Sequence, residues 1–339
     1  MSKFRNDRIL LVAEVAQAHD GSLGLAHSFI DSSAKAGADA IKFQLHLAEF
    51  ESTPREKWRI KFSKQDKSRY DYWKRMEFSK EQWQELANHA KEKGLKFILS
   101  PFSIESTEIL DKSLVYAWKI ASGEFENRPL IERLAKDNKN LIISTGMSSY
   151  EEIDNVLNIV KKERTDFTLL QCTSKYPCNE KDIGLNVIEE FKLRYGCPVG
   201  LSDHSGSIFP SIAAASIGVS LIELHVTYSK EMFGPDVSSS VTFEDFKLVK
   251  EGVRYVEKMR KNPIDKNLYS SVLSPMKKLF GKSIVASRDL TSGEVINFAD
   301  LAFKKPGDGI SPEKYGYFVG KTLKLDIKKD QQLDEDVVK

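Results

Sequence analysis

One complete strand–helix–strand unit occupies residues 141–172, which read LIISTGMSSYEEIDNVLNIVKKERTDFTLLQC. The unit begins with the apolar run Leu141–Thr145 and ends with the apolar run Thr168–Cys172, and each run has the length of a buried strand. Between the two runs, Tyr150–Lys162 places apolar residues at helical spacing. Strands that are joined by such a helix run parallel in one sheet, so the stretch predicts a βα unit.

The same unit recurs along the chain, and eight strands are predicted. The predicted strands are Ile9–Glu14, Ala40–Gln44, Lys96–Ser100, Ala117–Ser122, Leu141–Thr145, Thr168–Cys172, Pro198–Ser202 and Leu221–Val226. The helices between them include Leu23–Ala36, Lys80–Lys93, Tyr150–Lys162, Val187–Tyr195, Phe209–Ile217 and Phe243–Arg260. Eight consecutive units favour a closed barrel over an open sheet, so the predicted fold is an α/β protein of the (β/α)8 TIM-barrel type.

A smaller domain is predicted after the barrel, which takes residues 1–261. Residues 262–279 contain two prolines and no sustained period, which indicates a linker. Residues 280–339 contain strand-like runs at Ser283–Ala286 and Lys324–Ile327 and a turn at Pro306–Gly309, so we expect a compact, β-rich module. Because about sixty residues bury little apolar surface, we expect this module to lean on a barrel, either its own or that of a neighbouring subunit.

The second βα connection contains an unusually long insertion, residues 45–79, which is rich in charged and aromatic residues. It fits two interpretations equally well. One is a lid over the barrel mouth, and the other is an ordered surface excursion or an oligomer contact.

The composition excludes several classes of protein. The 339 residues carry 51 Lys and Arg against 49 Asp and Glu, and no extended basic tract is present, so nucleic acid is not expected as a partner. No apolar run is long enough to cross a bilayer. The three cysteines cannot all pair and form no CxxC motif, which favours a cytoplasmic location, although Cys172 or Cys178 acting as a nucleophile is an alternative.

Polar residues follow nearly every predicted strand, at the end of the barrel where TIM-barrel sites lie. Lys42 and Lys119 are expected to converge there beside several hydroxyl groups, which suits a phosphorylated carboxylate as the ligand. The alternative is that Lys119 forms a Schiff base, as in barrel aldolases.

Two histidines, His204 and His225, end the adjacent strands seven and eight. Two imidazoles at one level, completed by carboxylates or water, suit Mn²⁺ or a similar divalent ion better than structural zinc. Glu223 lies on strand eight as well, and no role is assigned to it. The turn Gly234-Pro235-Asp236 places a carboxylate near the mouth, whereas His27, His46 and His89 are interpreted as structural.

These stretches, taken in order, resemble the bacterial sialic acid (nonulosonic acid) synthases that carry a C-terminal antifreeze-like, SAF-type domain of the β-clip kind. The matching motifs are Ala13-Glu14 with His19, Asp39–Gln44, Ser100–Phe102, Lys119–Glu124, Ser144–Met147, Cys172–Pro177, Gly200–His204, Glu223–His225 and Gly234–Asp236, followed by Ser283–Glu294 and Lys304–Ser311. The resemblance covers almost the whole chain.

The resemblance implies a transferase that condenses phosphoenolpyruvate with an N-acetylmannosamine-type sugar aldehyde and releases phosphate. It implies that phosphoenolpyruvate is held by Lys42, Ser100, Lys119, Ser122, Ser144, Ser174 and Ser202. It also implies a divalent metal on His204 and His225, for which Mn²⁺ is expected and Mg²⁺ and Co²⁺ are alternatives. Gln44, Tyr176 and Asp236 would lie near the N-acyl hexosamine, together with Glu14, and Glu14 or Glu124 would handle protons. The family works as a domain-swapped homodimer in which a residue of the SAF domain reaches the partner's site.

Four departures from the family pattern leave the acceptor sugar open. Ala16, Ala18 and Val237 stand where the family often has Gly, Asn and His, and Lys305 stands where an Arg usually reaches the N-acyl group of the substrate. Legionaminic-type, other nonulosonic and phosphorylated acceptors all fit. The alternative to an enzyme is a carbohydrate- or ice-binding protein whose binding surface lies in residues 280–339, although these residues contain no regular array of threonines.

Overall fold

Eight parallel strands form a closed barrel in the computed structural model, which describes residues 8–137 and 139–339. Each strand pairs with the next along the chain, and β1 also pairs with β8, which closes the cylinder. The strands are β1 Leu10–Ala16, β2 Ala40–Leu45, β3 Lys96–Pro101, β4 Ala117–Ile120, β5 Asn140–Ser144, β6 Phe167–Cys172, β7 Val199–Asp203 and β8 Leu221–Thr227. A two-residue strand, β9 Val241–Thr242, pairs in parallel with the end of β8. The predicted (β/α)8 fold is therefore confirmed.

Helices alternate with the strands around the outside of the barrel. They are α1 Leu23–Ala36, α2 Ala48–Glu51, α3 Arg69–Met76, α4 Lys80–Glu92, α5 Arg128–Lys136, α6 Tyr150–Lys162, α7 Leu185–Tyr195, α8 Phe209–Ser216 and α9 Phe243–Lys261. Several begin at a serine whose side chain caps the first turn; for example, Ser149 and Glu152 form a capping box at α6. Gly37 ends α1 with φ +86°, a left-handed conformation that favours glycine. No helix in the described part of the chain is both long enough and apolar enough to span a bilayer.

The inside of the barrel is built in two layers, because side chains alternate between the faces of each strand. The lower layer is apolar and consists of Leu10, Val12, Ala40, Ile98, Ala117, Ile142, Leu170 and Leu221. Two residues further along β1, β2, β4 and β8, the inward positions are Glu14, Lys42, Lys119 and Glu223, all of them buried. Each of these four strands therefore contributes an apolar residue to the lower layer and, two residues later, a charged residue to the layer at its carboxyl end.

The apolar layer leaves no space for a side chain at Gly200 in β7. A Cβ atom at Gly200 would lie 2.5 Å from Leu170 Cδ2 and 2.4 Å from the Leu221 carbonyl oxygen. Any side chain there would push β6 and β8 away from β7, so glycine allows the three strands to bring their polar ends together.

Strand four differs from its prediction at its carboxyl end. It ends at Ile120, and Ser122–Glu124 forms a 3₁₀ turn instead of continuing the strand. The turn carries Ser122 and Glu124 over the rim of the barrel. The nine-residue helix α5 was not predicted either; it begins at the cap residue Asn127, with a proline in its first turn.

The long insertion is ordered and has a core of its own. Residues Ala48, Tyr72, Trp73 and Met76 are buried together under α2 and α3. The Arg75 guanidinium binds Asp66 within the insertion, at 2.8 Å, and Asp20 in the loop after β1, also at 2.8 Å. The insertion is therefore fixed to the barrel by charge as well as by packing.

The second compact unit, residues 262–339, has its own core around Ile284, Phe318 and Leu333. The antiparallel pair β10 Ser283–Ala286 and β11 Leu301–Lys304 lies in it. Three short helices complete it: α10 Lys266–Val272, α11 Ser274–Phe280 and α12 Tyr315–Phe318.

The secondary structure of this unit differs from the expected one in two segments. The segment that was interpreted as a linker contains the unexpected helices α10 and α11; Asp265 caps α10, and Pro275 lies in the first turn of α11, where its missing N–H is not needed. Residues Lys324–Ile327 form no strand but take part in isolated bridges, such as Leu290 with Ile327.

Candidate active site

A cavity of about 460 Å³ opens at the carboxyl ends of the barrel strands. Every site residue predicted within the barrel unit lines it, including both lysines and both histidines. These residues are Glu14, Lys42, Gln44, Ser100, Lys119, Ser122, Glu124, Ser144, Ser174, Tyr176, Ser202, His204, His225 and Asp236. Lys305 belongs to the second unit, where its ammonium lies 5.2 Å from the centre of the Phe280 ring.

Four buried charges occupy the bottom of this cavity. Lys119 Nζ donates to both carboxylate oxygens of Glu223, at 2.6 and 2.8 Å. Lys42 Nζ lies 3.0 Å from Glu223 Oε1 and 3.3 Å from Glu14 Oε2. The register explains the cluster, since Glu14 lies opposite Lys42 on one side and opposite His225 on the other.

The four groups shift one another's pKa values. Burial alone would raise the pKa of Glu223, but Lys119 and Lys42 hold it well below its usual range. Burial raises the pKa of Glu14 to about 7, although Lys42 opposes the shift. Burial would lower the pKa of Lys42, but Glu14 and Glu223 raise it above its ordinary value. The cluster thus contains a firmly ionised carboxylate and, in Glu14, a carboxyl group poised to exchange a proton near neutral pH.

Hydroxyl groups and a glycine lie beside the lysines. Ser202 Oγ donates to Glu223 at 3.1 Å, whereas Ser144 Oγ is buried and has no hydrogen-bond partner among the described residues. The N–H of Gly146 donates to Ser122 Oγ at 2.9 Å, and a Cβ atom at Gly146 would lie 2.3 Å from Ser174 Oγ. A glycine is therefore needed to leave these hydroxyls room, and the group as a whole suits the oxygens of a small anion.

The two predicted metal ligands are neighbours. The ring centres of His204 and His225 lie 5.3 Å apart, and the Tyr176 ring stacks on His204 at 4.1 Å. Burial lowers the pKa of His225 to about 3, so its imidazole is neutral and can offer a lone pair. His204 Nδ1 lies 2.9 Å from the Thr173 carbonyl oxygen, the kind of contact that orients a ligating imidazole.

The two histidines suit a metal site that keeps coordination positions for water or substrate, rather than a site that protein side chains fill completely. No three His, Cys, Asp or Glu side chains within residues 8–137 and 139–339 are grouped to hold an ion by themselves. Two imidazoles would leave the remaining positions to water or substrate oxygens, an arrangement that suits a catalytic divalent ion. Cys172 Sγ lies 3.9 Å from His204 Nδ1, so a thiol also borders this group.

The insertion supplies much of the outer wall of the cavity. The Arg59 guanidinium lies 4.4 Å above the centre of the Tyr176 ring and pairs with Asp236 at 2.9 Å. His46, which was interpreted as structural, lies in the wall between Trp73 and Phe102, with ring-centre distances of 4.0 and 4.5 Å. The segment therefore contributes side chains to the site itself, as the lid interpretation requires.

Sequence reasoning missed several residues of this wall. Glu223 was noted without a role, and Gln17, His46, Glu51, Arg59 and Arg69 were not assigned to the site. The signal for Glu223 was present, because it lies two residues before His225 on the inward face of β8. Gln17, His46 and Arg59 lie outside the helices and strands, and Glu51 and Arg69 lie at the ends of the short helices α2 and α3, so no sustained period indicates the direction of these side chains.

Comparison with known proteins now places the chain. The NeuB family matches residues 29–265, and the SAF domain matches residues 281–338. The chain belongs to the NeuB family.

The proteins that it resembles include synthases named for N,N'-diacetyllegionaminic acid and for N-acetylneuraminate 9-phosphate. The chain is 34% identical to the N,N'-diacetyllegionaminic acid synthase of Campylobacter jejuni, over 97% of this chain and 99% of that one. It is 33% identical to the human N-acetylneuraminate-9-phosphate synthase, over 97% and 92% of the two chains. Among solved structures, the N-acetylneuraminic acid synthetase of Leptospira borgpetersenii matches with a TM-score of 0.69 and 29% identity, over 78% and 90% of the two chains.

Proposed function

We propose that this NeuB-family protein is a nonulosonic acid synthase that condenses phosphoenolpyruvate with the open-chain aldehyde of an N-acyl hexosamine and releases phosphate. The observation that carries the proposal is that Lys42 and Lys119 converge on one cavity in the mouth of the barrel, which Ser144 also lines with a hydroxyl that has no partner among the residues described. The names of the relatives support a sugar acid as the product.

The lysines and hydroxyls would bind phosphoenolpyruvate. The two ammonium groups would attract its phosphate and carboxylate, and Ser100, Ser122, Ser144, Ser174 and Ser202 offer O–H donors around them. Glu223 would keep both lysines charged and aligned. After the enol carbon has attacked the aldehyde and water has added at C2, the C2–O bond to phosphate breaks, and the same lysines would stabilise the negative charge on the phosphate that leaves.

The acceptor aldehyde would lie above this layer, near Gln44, Tyr176 and Asp236. Glu14 receives a hydrogen bond from Gln44 Nε2 at 3.0 Å, so its carboxyl group is oriented as well as poised in pKa. Glu124 is the second candidate for proton transfer, and burial raises its pKa too. One of these groups would protonate the aldehyde oxygen as the new C–C bond forms, and would later accept a proton from the water that adds at C2.

We further propose that His204 and His225 hold a divalent ion, with Mn²⁺ preferred over Mg²⁺ or Co²⁺. When bound, such an ion supplies Lewis-acid polarisation of the aldehyde oxygen. We also propose, from the family resemblance, a cytoplasmic, domain-swapped homodimer in which Lys305 serves the partner's site.

A class I aldolase that uses Lys119 is the second candidate, and burial does lower the pKa of this lysine. Its two hydrogen bonds to Glu223 are, however, the contacts of an ammonium group rather than of a free amine. Borohydride trapping in the presence of substrate distinguishes the two, because only the aldolase forms a reducible imine.

The decisive experiment measures phosphate release from phosphoenolpyruvate across a panel of N-acyl hexosamines and their phosphate esters, with and without a chelator. We expect release that depends on both a sugar and a divalent metal. Absence of release with every sugar, in the presence of Mn²⁺, Mg²⁺ and Co²⁺ in turn, would contradict the proposal.

A further inference from the structure

A buried carboxylate with one unused oxygen lies in the wall formed by the insertion. The Glu51 side chain is only 7% exposed, and its Oε1 lies 2.7 Å from His46 Nδ1. Its Oε2 has no hydrogen-bond partner in the part of the chain that the structure describes, although the residue lines the cavity. A desolvated carboxylate oxygen without a donor is costly, so this atom is prepared for a donor that arrives with a ligand.

The position of Glu51 is fixed by a chain of hydrogen bonds that begins at the charged layer. Gln44 donates to Glu14, and Gln17 Nε2 donates to Gln44 Oε1 and lies 3.0 Å from His46 Nε2. With its proton on Nδ1, the His46 ring accepts from Gln17 and donates to Glu51; its Nε2 then also lies 3.2 Å from a second acceptor, Gln44 Oε1. The stacked rings of Trp73 and Phe102 prevent His46 from turning.

Among residues 8–137 and 139–339, no unpaired cation lines the outer half of the cavity. Its two arginines are already paired, Arg59 with Asp236 at 2.9 Å and Arg69 with Glu56 at 3.4 Å. Within the described parts of the chain, Glu51 is paired only with His46, and Glu124 forms no ion pair. A phosphate group placed here would meet two carboxylates before it met a free positive charge, whereas O–H and N–H groups would find acceptors.

We propose that Glu51, held by His46, is a specificity-determining residue that binds an O–H or N–H group of the acceptor sugar and makes the site select uncharged acceptors over phosphorylated ones. The inference rests on the proposed function and deepens it, because it names the class of acceptor. Glu51 acts through its free Oε2, and the lysines at the bottom of the cavity remain available to phosphoenolpyruvate.

The test is the substitution Glu51→Gln, with Glu49→Gln as the matched control on an exposed position of the same helix. The glutamine can still accept from His46 through its oxygen, but it presents an N–H donor where Oε2 stood. We expect the KM for a neutral N-acyl hexosamine to rise about tenfold or more, with kcat and the KM for phosphoenolpyruvate within about twofold of wild type. An unchanged acceptor KM in a folded Glu51→Gln protein would overturn the proposal.

The charge selection is tested with N-acetylmannosamine and its 6-phosphate. Wild type should use the neutral sugar with a kcat/KM at least about tenfold higher, and Glu51→Gln should narrow that ratio. A preference of wild type for the phosphate ester would also overturn the inference.

A failure of the proposed function gives a different result, namely no phosphate release with any sugar. In that case, calorimetric titration of both sugars into wild type and Glu51→Gln, with phosphoenolpyruvate present, tests the residue directly. Weaker binding of the neutral sugar by the variant supports the inference, and equal binding, or none by wild type, overturns it.

Discussion

Lys119 donates both hydrogen bonds that it makes to Glu223, at 2.6 and 2.8 Å, and the same carboxylate lies 3.0 Å from Lys42. Glu223 is therefore the carboxylate that two buried cations share, and these cations come from β2 and β4, which are separated in the barrel by β3 alone. Removing one member of such a group leaves charge unbalanced where water cannot reach it.

The substitution Glu223→Gln should lower the free energy of unfolding by about 3–5 kcal/mol, because two lysines would lose their shared counter-charge. Urea denaturation measures the change. The control Glu244→Gln removes an exposed i,i+3 partner of Lys247 and should shift stability by less than about 0.5 kcal/mol. Equal stability of the two variants would contradict the reading of Glu223 as the central anion.

The substitution His204→Ala should abolish turnover while leaving the fold intact, since one of two proposed metal ligands is lost. Phosphate release measures turnover, circular dichroism checks the fold, and metal content is measured on the purified protein. Chelation of wild type should give the same loss, and added Mn²⁺ should restore wild type only. Normal activity of the variant would remove the metal assignment.

The substitution Arg59→Gln should raise the KM for the acceptor about threefold to tenfold, because it removes both the cover over Tyr176 and the partner of Asp236. The KM for phosphoenolpyruvate should not change. Arg55→Gln, at an exposed position of the same insertion, serves as the control. Initial rates at varied acceptor concentration decide whether the effect is confined to the acceptor.

The ion pair of Asp66 with Arg75 should make the stability of the insertion sensitive to acid. The hydrogen bond from Arg75 holds the pKa of Asp66 below its ordinary value, so its contribution is present at neutral pH and is lost as the pH falls through that lowered pKa. Asp66→Asn should therefore cost about 1–2 kcal/mol at pH 7, and the difference from wild type should shrink below about pH 4. Urea denaturation at several pH values measures it, and a constant difference would contradict the assignment.

The substitution Lys305→Arg should mainly alter acceptor preference, because a planar guanidinium can bind an N-acyl oxygen in ways that an ammonium cannot. The panel of N-acyl hexosamines used for wild type measures the change. Unchanged kinetics for all acceptors would remove Lys305 from the site.

Much of this architecture is predictable because strands of a barrel keep their period. The eight apolar runs led to strands whose bounds differ by one or two residues from those observed, and the inward polar positions of β1, β2, β4 and β8 follow from alternation. Helices α1 and α6 were predicted to the residue. Hydrophobic periodicity was sufficient to predict a strand or helix wherever the same face stays buried over several residues.

The features that were not predicted depend on contacts between segments that lie far apart in the sequence and share no periodic pattern. The stacking of His46 between Trp73 and Phe102, and the reach of Arg59 to Asp236, join the insertion to distant loops. The role of Glu223 becomes apparent only when Lys42 and Lys119 are both seen to contact its carboxylate. Helix α11 was missed because Pro275 indicates a loop unless it occupies a first turn.

The pairing of β1 with β8 has a consequence for the order of events on the ribosome. Glu14 and His225 are register partners, yet almost the whole barrel sequence is synthesised between them. The first strand must therefore wait, with an open edge, until the last one emerges, and contacts this distant in sequence form slowly. The cavity is therefore complete only after β8 has been synthesised. A chain that terminates before β8 is expected to be inactive rather than partly active.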